Sequence, residues 1–271
     1  IFPLITFPYV SRILLPEGTG RVSFATSLVS YFLMLSQLGI PTYGIRACAK
    51  VRDDRRKLSR VVHELMAINL VMSLLSYLAL GIFVFAIPRL RAESSLIFII
   101  SLTILLNAVG MEWLYKALEQ YTYITIRSVI FKAIAVVAML LLIRQQSDYV
   151  VYGALTILAA SASNVCNFVH AHTYIDLFPE EKYNYRQHMK PILVFFAMSC
   201  ATVIYTNLDT VMLGLMKSNV DVGYYNAAVK IKGILVGIVT SLGTVMLPRL
   251  SYYVERGEME EFQRLTKKAM N

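Results

Sequence analysis

The chain has 271 residues, 57% of them hydrophobic, and its mean hydropathy is +0.58. This composition excludes a soluble helical bundle, whose helices need polar outer faces. The net charge of +9 does not indicate a nucleic-acid partner, because the basic residues lie in short segments between apolar runs, where they suit an anionic membrane surface.

Six stretches of the chain contain no Asp, Glu, Lys or Arg, and most approach the length of a membrane-spanning helix. About 20 mostly apolar residues in a helix cross about 30 Å of hydrocarbon. The runs therefore predict an all-α membrane protein with about eight transmembrane helices. In chain order, the predicted helices cover residues 1–15, 22–45, 61–88, 94–117, 124–143, 149–173, 190–216 and 222–248.

The connecting segments divide into a basic set and a less basic set. Segments 46–60, 115–132, 172–190 and 248–271 carry 18 Lys and Arg residues, whereas 12–21, 88–93, 144–148 and 217–221 carry six. Cytoplasmic loops of membrane proteins are enriched in Lys and Arg. The first set is therefore predicted to be cytoplasmic.

The three cysteines, Cys48, Cys166 and Cys200, lie in or beside apolar runs and have no metal-ligand spacing. We expect neither a metal nor a cofactor. Ile1 opens directly into apolar sequence, and the last residues, Glu255–Asn271, form a charged amphipathic stretch. We therefore expect the chain to be part of a longer protein.

A weak internal repeat relates the two ends of the chain. Gly20 and Gly223 each follow a short polar loop and begin an apolar run, and these runs end near Pro41 and Pro248. The repeat predicts two parallel halves of six helices each, an arrangement common in transporters, which place their site between the halves.

Eight short motifs lie along the whole chain, namely Ser11–Gly20, Gly39–Arg46, Lys50–Arg55, Lys116–Tyr121, Tyr123–Ser128, Leu208–Gly214, Val222–Ala227 and Leu247–Ser251. They resemble those of bacterial polysaccharide-unit flippases, the O-antigen and capsule translocases of the multidrug/oligosaccharidyl-lipid/polysaccharide exporter superfamily. Two positions depart from the pattern. Leu15 stands where Gly is usual, and Cys48 stands where many relatives have an acidic residue.

The resemblance implies a non-enzymatic protein of the bacterial inner membrane that moves undecaprenyl-diphosphate-linked oligosaccharide by alternating access. It implies an N-terminal lobe at 1–173 with helices 1–6, the first truncated, a cytoplasmic loop at 174–189, and the start of a second lobe at 190–271 with helices 7–8 and a tail. Its partners would be membrane lipids and the lipid-linked oligosaccharide. The resemblance leaves open whether transport is coupled to protons or sodium ions and whether the protein contacts polysaccharide polymerase machinery.

A diphosphate headgroup needs cationic partners, because its charge is costly to bury in hydrocarbon and Arg matches phosphate oxygens. Arg12 follows the first apolar run, and Arg46 ends the second helix on the predicted cytoplasmic side. Arg127 and Lys132 flank the start of the fifth helix. We predict that these four residues contact substrate, although Arg12 and Arg46 also suit interfacial or topological roles.

Asp209 and Lys230 complete the candidate substrate-binding residues. They lie at nearly the same predicted depth on consecutive antiparallel helices, so an intramembrane ion pair is available. The pair is either structural or a cavity site whose carboxylate binds a proton and couples transport to an ion gradient.

Two other functions remain open at this point. An ion-coupled drug or metabolite exporter of the same superfamily needs deep acidic residues, but deep cations are more numerous here. A membrane glycosyltransferase or polysaccharide polymerase needs a carboxylate cluster beside the membrane. The longest loop has Asp176, Glu180 and Glu181 but no convincing metal-ligand motif, and we expect no catalytic residue.

Overall fold

The computed structural model describes residues 2–176 and 183–255, together with residues 259, 263 and 264. Most of the predicted amphipathic tail, and residues 177–182 of the predicted inter-lobe loop with Glu180 and Glu181, therefore lie outside the described residues. The helices are α1 Phe2–Gln37, α2 Ile40–Ala49, α3 Arg55–Ala86, α4 Pro88–Ala92, α5 Ser94–Gly110, α6 Glu112–Ala117, α7 Tyr121–Leu142, α8 Tyr149–Ile157, α9 Asn164–His170, α10 Arg186–Met216 and α11 Asn219–Glu255.

Five helical stretches of the described chain are long and apolar enough to cross a membrane, and the shorter apolar helix α5 adds to them. The stretches are Thr6–Ala49, Arg55–Ala86, Tyr121–Leu142, Gln146–Thr173 and Arg186–Met216. The described residues contain no strand. The predicted class, an all-α multi-pass membrane protein, is confirmed.

Helix α3 shows how lipid orders the side chains of this fold. Its polar residues Asn69 and Ser73 are buried against neighbouring helices, whereas Leu74, Leu78 and Ile82 are exposed. In water this arrangement would expose a large apolar surface. In a bilayer it places apolar side chains against lipid and polar ones where other helices can satisfy them.

The prediction of a loop at residues 16–21, between the first two helices, is wrong. Residues 16–21 are helical, and α1 continues through them with a single non-helical residue, Leu15, at φ 57° and ψ 178°. Pro16 explains the break, because proline disfavours the α conformation of the residue before it but suits the first turn of a new helix. The predicted helix 22–45 is in turn interrupted at Gly39, whose φ of 77° ends α1 and begins α2 ahead of Pro41.

The fourth and sixth predicted helices are also irregular. Met111, at φ 40°, separates α5 from α6. A π-helical turn at Leu158–Ala162 joins α8 to α9. Amide side chains link the two regions. Asn107 Nδ2 of α5 donates to Ser161 Oγ in the π-helical turn at 3.2 Å, and Asn167 Nδ2 of α9 donates to the Gly110 carbonyl beside Met111 at 2.7 Å. Breaks of this kind free backbone groups, which side chains then satisfy.

The described loops gather at two ends of the bundle in the grouping that the sequence predicts. At one end, Arg55 Nε contacts Asp176 at 2.8 Å and Arg52 contacts Glu119 at 3.0 Å. This end, which carries segment 46–60, is called the basic end below. At the opposite end, Arg21 contacts Glu93 at 3.0 Å. Burial raises the pKa of Glu93 above its ordinary value in spite of the nearby cation.

The chain forms two compact units, Ile1–Tyr224 and Tyr225–Asn271. Within the first unit, α10 packs along α1 and α2. The Phe24 ring covers Gly214 near one end of α10, and the backbone at Phe195 and Phe196 approaches Gly39 near the other. The boundaries of the two predicted lobes stay a prediction.

Candidate functional site

A groove of about 660 Å³ opens between α2 and α10 at the basic end. It is called the cationic groove below. Its lining includes Tyr43, Arg46, Lys50, Gln187, His188 and Phe195. The groove exists because Gly39 redirects the chain into α2, which then runs beside the first turns of α10.

Arg46 and Lys50 supply the positive charge of this groove. They lie one helical turn apart, at the end of α2 and just beyond it, and both are exposed. The Arg46 guanidinium lies over the Phe195 ring, 5.0 Å from its centroid. Within the described residues, neither cation forms an ion pair with a carboxylate. Two cations one helical turn apart suit an anionic group such as a phosphate.

A second groove of about 490 Å³ lies between α1 and α10 and is called the polar groove below. The two grooves share Phe195. The polar side chains that line the polar groove are Ser30, Gln37, Thr42, Ser199, Thr202 and Asn207. Apolar side chains such as Leu33, Met34 and Met198 line the rest of this groove. Ser30, Ser199, Thr202 and Asn207 donate to backbone carbonyls of their own helices, and their oxygen atoms can still accept hydrogen bonds from a ligand.

A buried polar network adjoins the cationic groove. Glu64 is fully buried and His188 is 3% exposed, and His188 Nε2 contacts Glu64 Oε2 at 2.6 Å. Arg60 Nε donates to Glu64 Oε1 at 3.1 Å, and Gln187 Nε2 donates to Oε2 at 2.9 Å. Tyr43 Oη lies 2.8 Å from His188 Nδ1. The network connects α2, α3 and α10.

Sequence reasoning missed this network. Glu64 and His188 are 124 positions apart, and no spacing rule links residues at that distance. One signal was available. Glu64 directly precedes the uncharged run Leu65–Pro88, and an acidic residue beside such a run needs a buried partner.

At the opposite end of the first unit, the backbones of α1 and of the start of α11 come together in a tight contact, called the closed contact below. A Cβ atom at Gly20 would lie 1.8 Å from the carbonyl oxygen of Asn219, and one at Gly223 would lie 1.9 Å from the carbonyl oxygen of Pro16. Only glycine allows an approach this close. Gly20 and Gly223 are the glycines that the weak internal repeat relates.

The predicted substrate contacts occupy different surroundings. Arg46 lies in the cationic groove. Arg12 on α1 and Lys132 on α7 are exposed and line neither groove. Arg127 is 7% exposed, and its Nη1 donates to the Ser163 carbonyl at 2.9 Å next to the π-helical turn. A direct role in substrate binding stays a prediction for all four residues.

Asp209 is exposed on α10 and interacts electrostatically with Tyr31 of α1. Lys230 lies on α11 in the second unit and is half-buried. Their pairing therefore stays a prediction. A different ion pair lies on α6, where Lys116 Nζ contacts Glu112 at 2.8 Å. Among the described residues, no group of three or more His, Cys, Asp or Glu side chains is arranged to hold a metal ion.

These features define a multi-pass α-helical membrane protein with adjoining polar and cationic grooves in its first unit. The chain belongs to the family described as polysaccharide biosynthesis protein, whose model matches residues 1–254. It is similar to two proteins described as "Putative O-antigen transporter", with 22% identity over 254 residues in Escherichia coli (strain K12) and 26% over 263 residues in Shigella dysenteriae.

Each of these alignments covers 93% of the chain but only 61% and 63% of the two relatives. The chain therefore spans less than two thirds of the length of the curated relatives it matches. No solved structure matches it significantly.

Proposed function

We propose that the full-length protein translocates a polyprenyl-diphosphate-linked oligosaccharide across the bacterial inner membrane, and that undecaprenyl is the lipid. The observation that carries this proposal is the adjacency of the cationic and polar grooves, which share Phe195. A diphosphate carries about two negative charges and needs cations, whereas a sugar chain needs hydroxyl, amide and aromatic partners. Two similar proteins are named "Putative O-antigen transporter", which supports an O-antigen oligosaccharide as the cargo.

In this proposal the diphosphate binds Arg46 and Lys50 at the basic end, which is cytoplasmic. The sugars extend into the polar groove, past Phe195. The closed contact at Gly20 and Gly223 supports alternating access, because a transporter loaded from one side must be sealed at the other. Opening it would release the cargo on the periplasmic side.

The other predicted substrate-binding residues have secondary roles in the proposal. Arg12 and Lys132 suit interactions with lipid headgroups or with parts of the cargo outside the grooves. Asp209 and Lys230 are proposed as an intramembrane pair that stabilises the protein or couples transport to a proton or sodium gradient. We propose no catalytic step, and the released oligosaccharide would pass to polymerase machinery.

The proposal is tested in the native cell by deleting the gene and supplying full-length variants. Arg46→Gln combined with Lys50→Gln is expected to leave lipid-linked repeat units in the cytoplasmic leaflet, whereas the wild type delivers them to the periplasm. Arg56→Gln is the matched control, because Arg56 is exposed at the basic end but lines neither groove. Periplasmic delivery at wild-type level in the double variant, with other flippases absent, contradicts the proposal.

A further inference from the structure

One imidazole in the network beside the cationic groove, that of His188, can gain or lose a proton and keep its hydrogen bonds. The carboxylate of Glu64 accepts from Arg60 Nε, the Asn184 backbone N–H and Gln187 Nε2, and its Oε2 atom lies 2.6 Å from His188 Nε2. Gln187 Nε2 also lies 3.3 Å from His188 Nε2. An ionised carboxylate only accepts hydrogen bonds, so the contact with Glu64 is a hydrogen bond when His188 Nε2 carries the hydrogen, and that tautomer is taken here.

The second ring nitrogen of His188 faces the hydroxyl of Tyr43 at 2.8 Å. A hydroxyl can donate or accept. When the imidazole is neutral, Tyr43 donates to Nδ1. When a proton from water binds Nδ1, that nitrogen donates to the Tyr43 oxygen and the hydroxyl hydrogen turns away. The same atoms stay in contact in both states.

Charged and titratable groups adjoin the pair on several helices. Among the described residues, Arg46 and Lys50 line the groove with His188, Arg60 and Glu64 belong to its network, Cys48 lies on α2, and Arg186 and Lys190 flank it on α10. Nearby cations oppose a further positive charge, and the Glu64 carboxylate favours it. An anion between Arg46 and Lys50 would offset their charge and so favour a proton on His188.

We infer that His188 is a proton-binding site linked to the binding of a diphosphate in the cationic groove. His188 lines that groove as well as contacting Glu64, so the anion and the proton meet through one side chain. Linkage is reciprocal, and a proton on His188 strengthens diphosphate binding by the factor by which diphosphate strengthens proton binding. The inference rests on the proposed function, since it takes the diphosphate of the cargo as the ligand.

The test measures proton uptake when farnesyl diphosphate binds the purified full-length protein in detergent. Calorimetry in buffers of different ionisation heat gives the number of protons taken up. The wild type is expected to take up more protons than His188→Gln, by up to about one per anion, and its affinity should rise more steeply as pH falls, by up to about tenfold per pH unit. The ionisation of the probe contributes equally to both proteins.

His172→Gln is the matched control, because His172 is exposed at the same end and lines neither groove. It is expected to behave as the wild type. Equal proton uptake in the wild type and His188→Gln overturns the inference and leaves the proposed function standing. If the wild type does not bind the probe, the inference and the proposed diphosphate site both fail. If His188→Gln does not fold, the wild type must still take up protons beyond the ionisation of the probe, and their absence overturns the inference.

Discussion

The closed contact predicts a large effect from a single methyl group at Gly20. The Cβ atom of Gly20→Ala would lie 1.8 Å from the carbonyl oxygen of Asn219 and 2.8 Å from the backbone nitrogen of Gly223. Non-bonded heavy atoms sit at about 3.5–4.0 Å, so the helices must part by roughly 1.7–2.2 Å. Overpacking of this kind costs about 1–3 kcal/mol, which corresponds to about a 5- to 150-fold shift between two states.

Gly81→Ala is the matched control, because a Cβ atom at Gly81 would meet nothing within 4 Å. Replacing a helical glycine by alanine stabilises a protein by about 0.4–1 kcal/mol where no clash occurs. In the full-length protein in detergent, Gly20→Ala should lower the thermal unfolding midpoint, and Gly81→Ala should leave it unchanged or raise it. Equal midpoints for the two variants refute the reasoning.

A second readout separates opening from unfolding. Val222 is fully buried beside the closed contact, so Val222→Cys should react slowly with a membrane-impermeant thiol reagent. Adding Gly20→Ala should speed this labelling. Unchanged labelling together with a lowered midpoint would mean that the contact stabilises the fold without acting as a gate.

Three further predictions concern single positions or pairs. Leu15→Gly should raise the thermal unfolding midpoint. The side chain of Leu15 is half-exposed, and its φ of 57° costs a non-glycine residue about 1–3 kcal/mol. A lowered midpoint contradicts this. Arg127→Met should lower the midpoint, since a buried hydrogen bond from a charged group contributes about 1.5–3 kcal/mol; an unchanged midpoint contradicts this, and weaker binding of farnesyl diphosphate would support the predicted substrate contact. Asp209→Asn combined with Lys230→Gln should fold better than either single variant, and additive losses argue against the pair.

The sequence determines the membrane class and the grouping of loops, because uncharged runs and basic segments are direct consequences of the bilayer as a solvent. The irregular backbone is harder to predict from the sequence. The break at Leu15 and the π-helical turn at Leu158–Ala162 depend on which neighbouring groups satisfy the freed backbone. The resemblance did carry one hint, since Gly is usual at the position where Leu15 adopts a positive φ.

The candidate site was only partly predictable for a related reason. Arg46 stands out from its place at a helix end, and the structure places it in a groove. Arg127 stands out equally in the sequence but is buried against the carbonyl of Ser163, which a charge pattern does not reveal. Glu64 and His188 come together only because α10 returns along α2 and α3.

The central claim is tested most directly by transport in liposomes that contain only the purified full-length protein and a fluorescent polyprenyl-diphosphate oligosaccharide. A membrane-impermeant quencher reports how much lipid reaches the outer leaflet. The account predicts that wild type and Arg56→Gln expose the inner-leaflet pool, whereas Arg46→Gln with Lys50→Gln exposes it far more slowly. Exposure no faster than in protein-free liposomes, or equally fast in the double variant, would contradict the account.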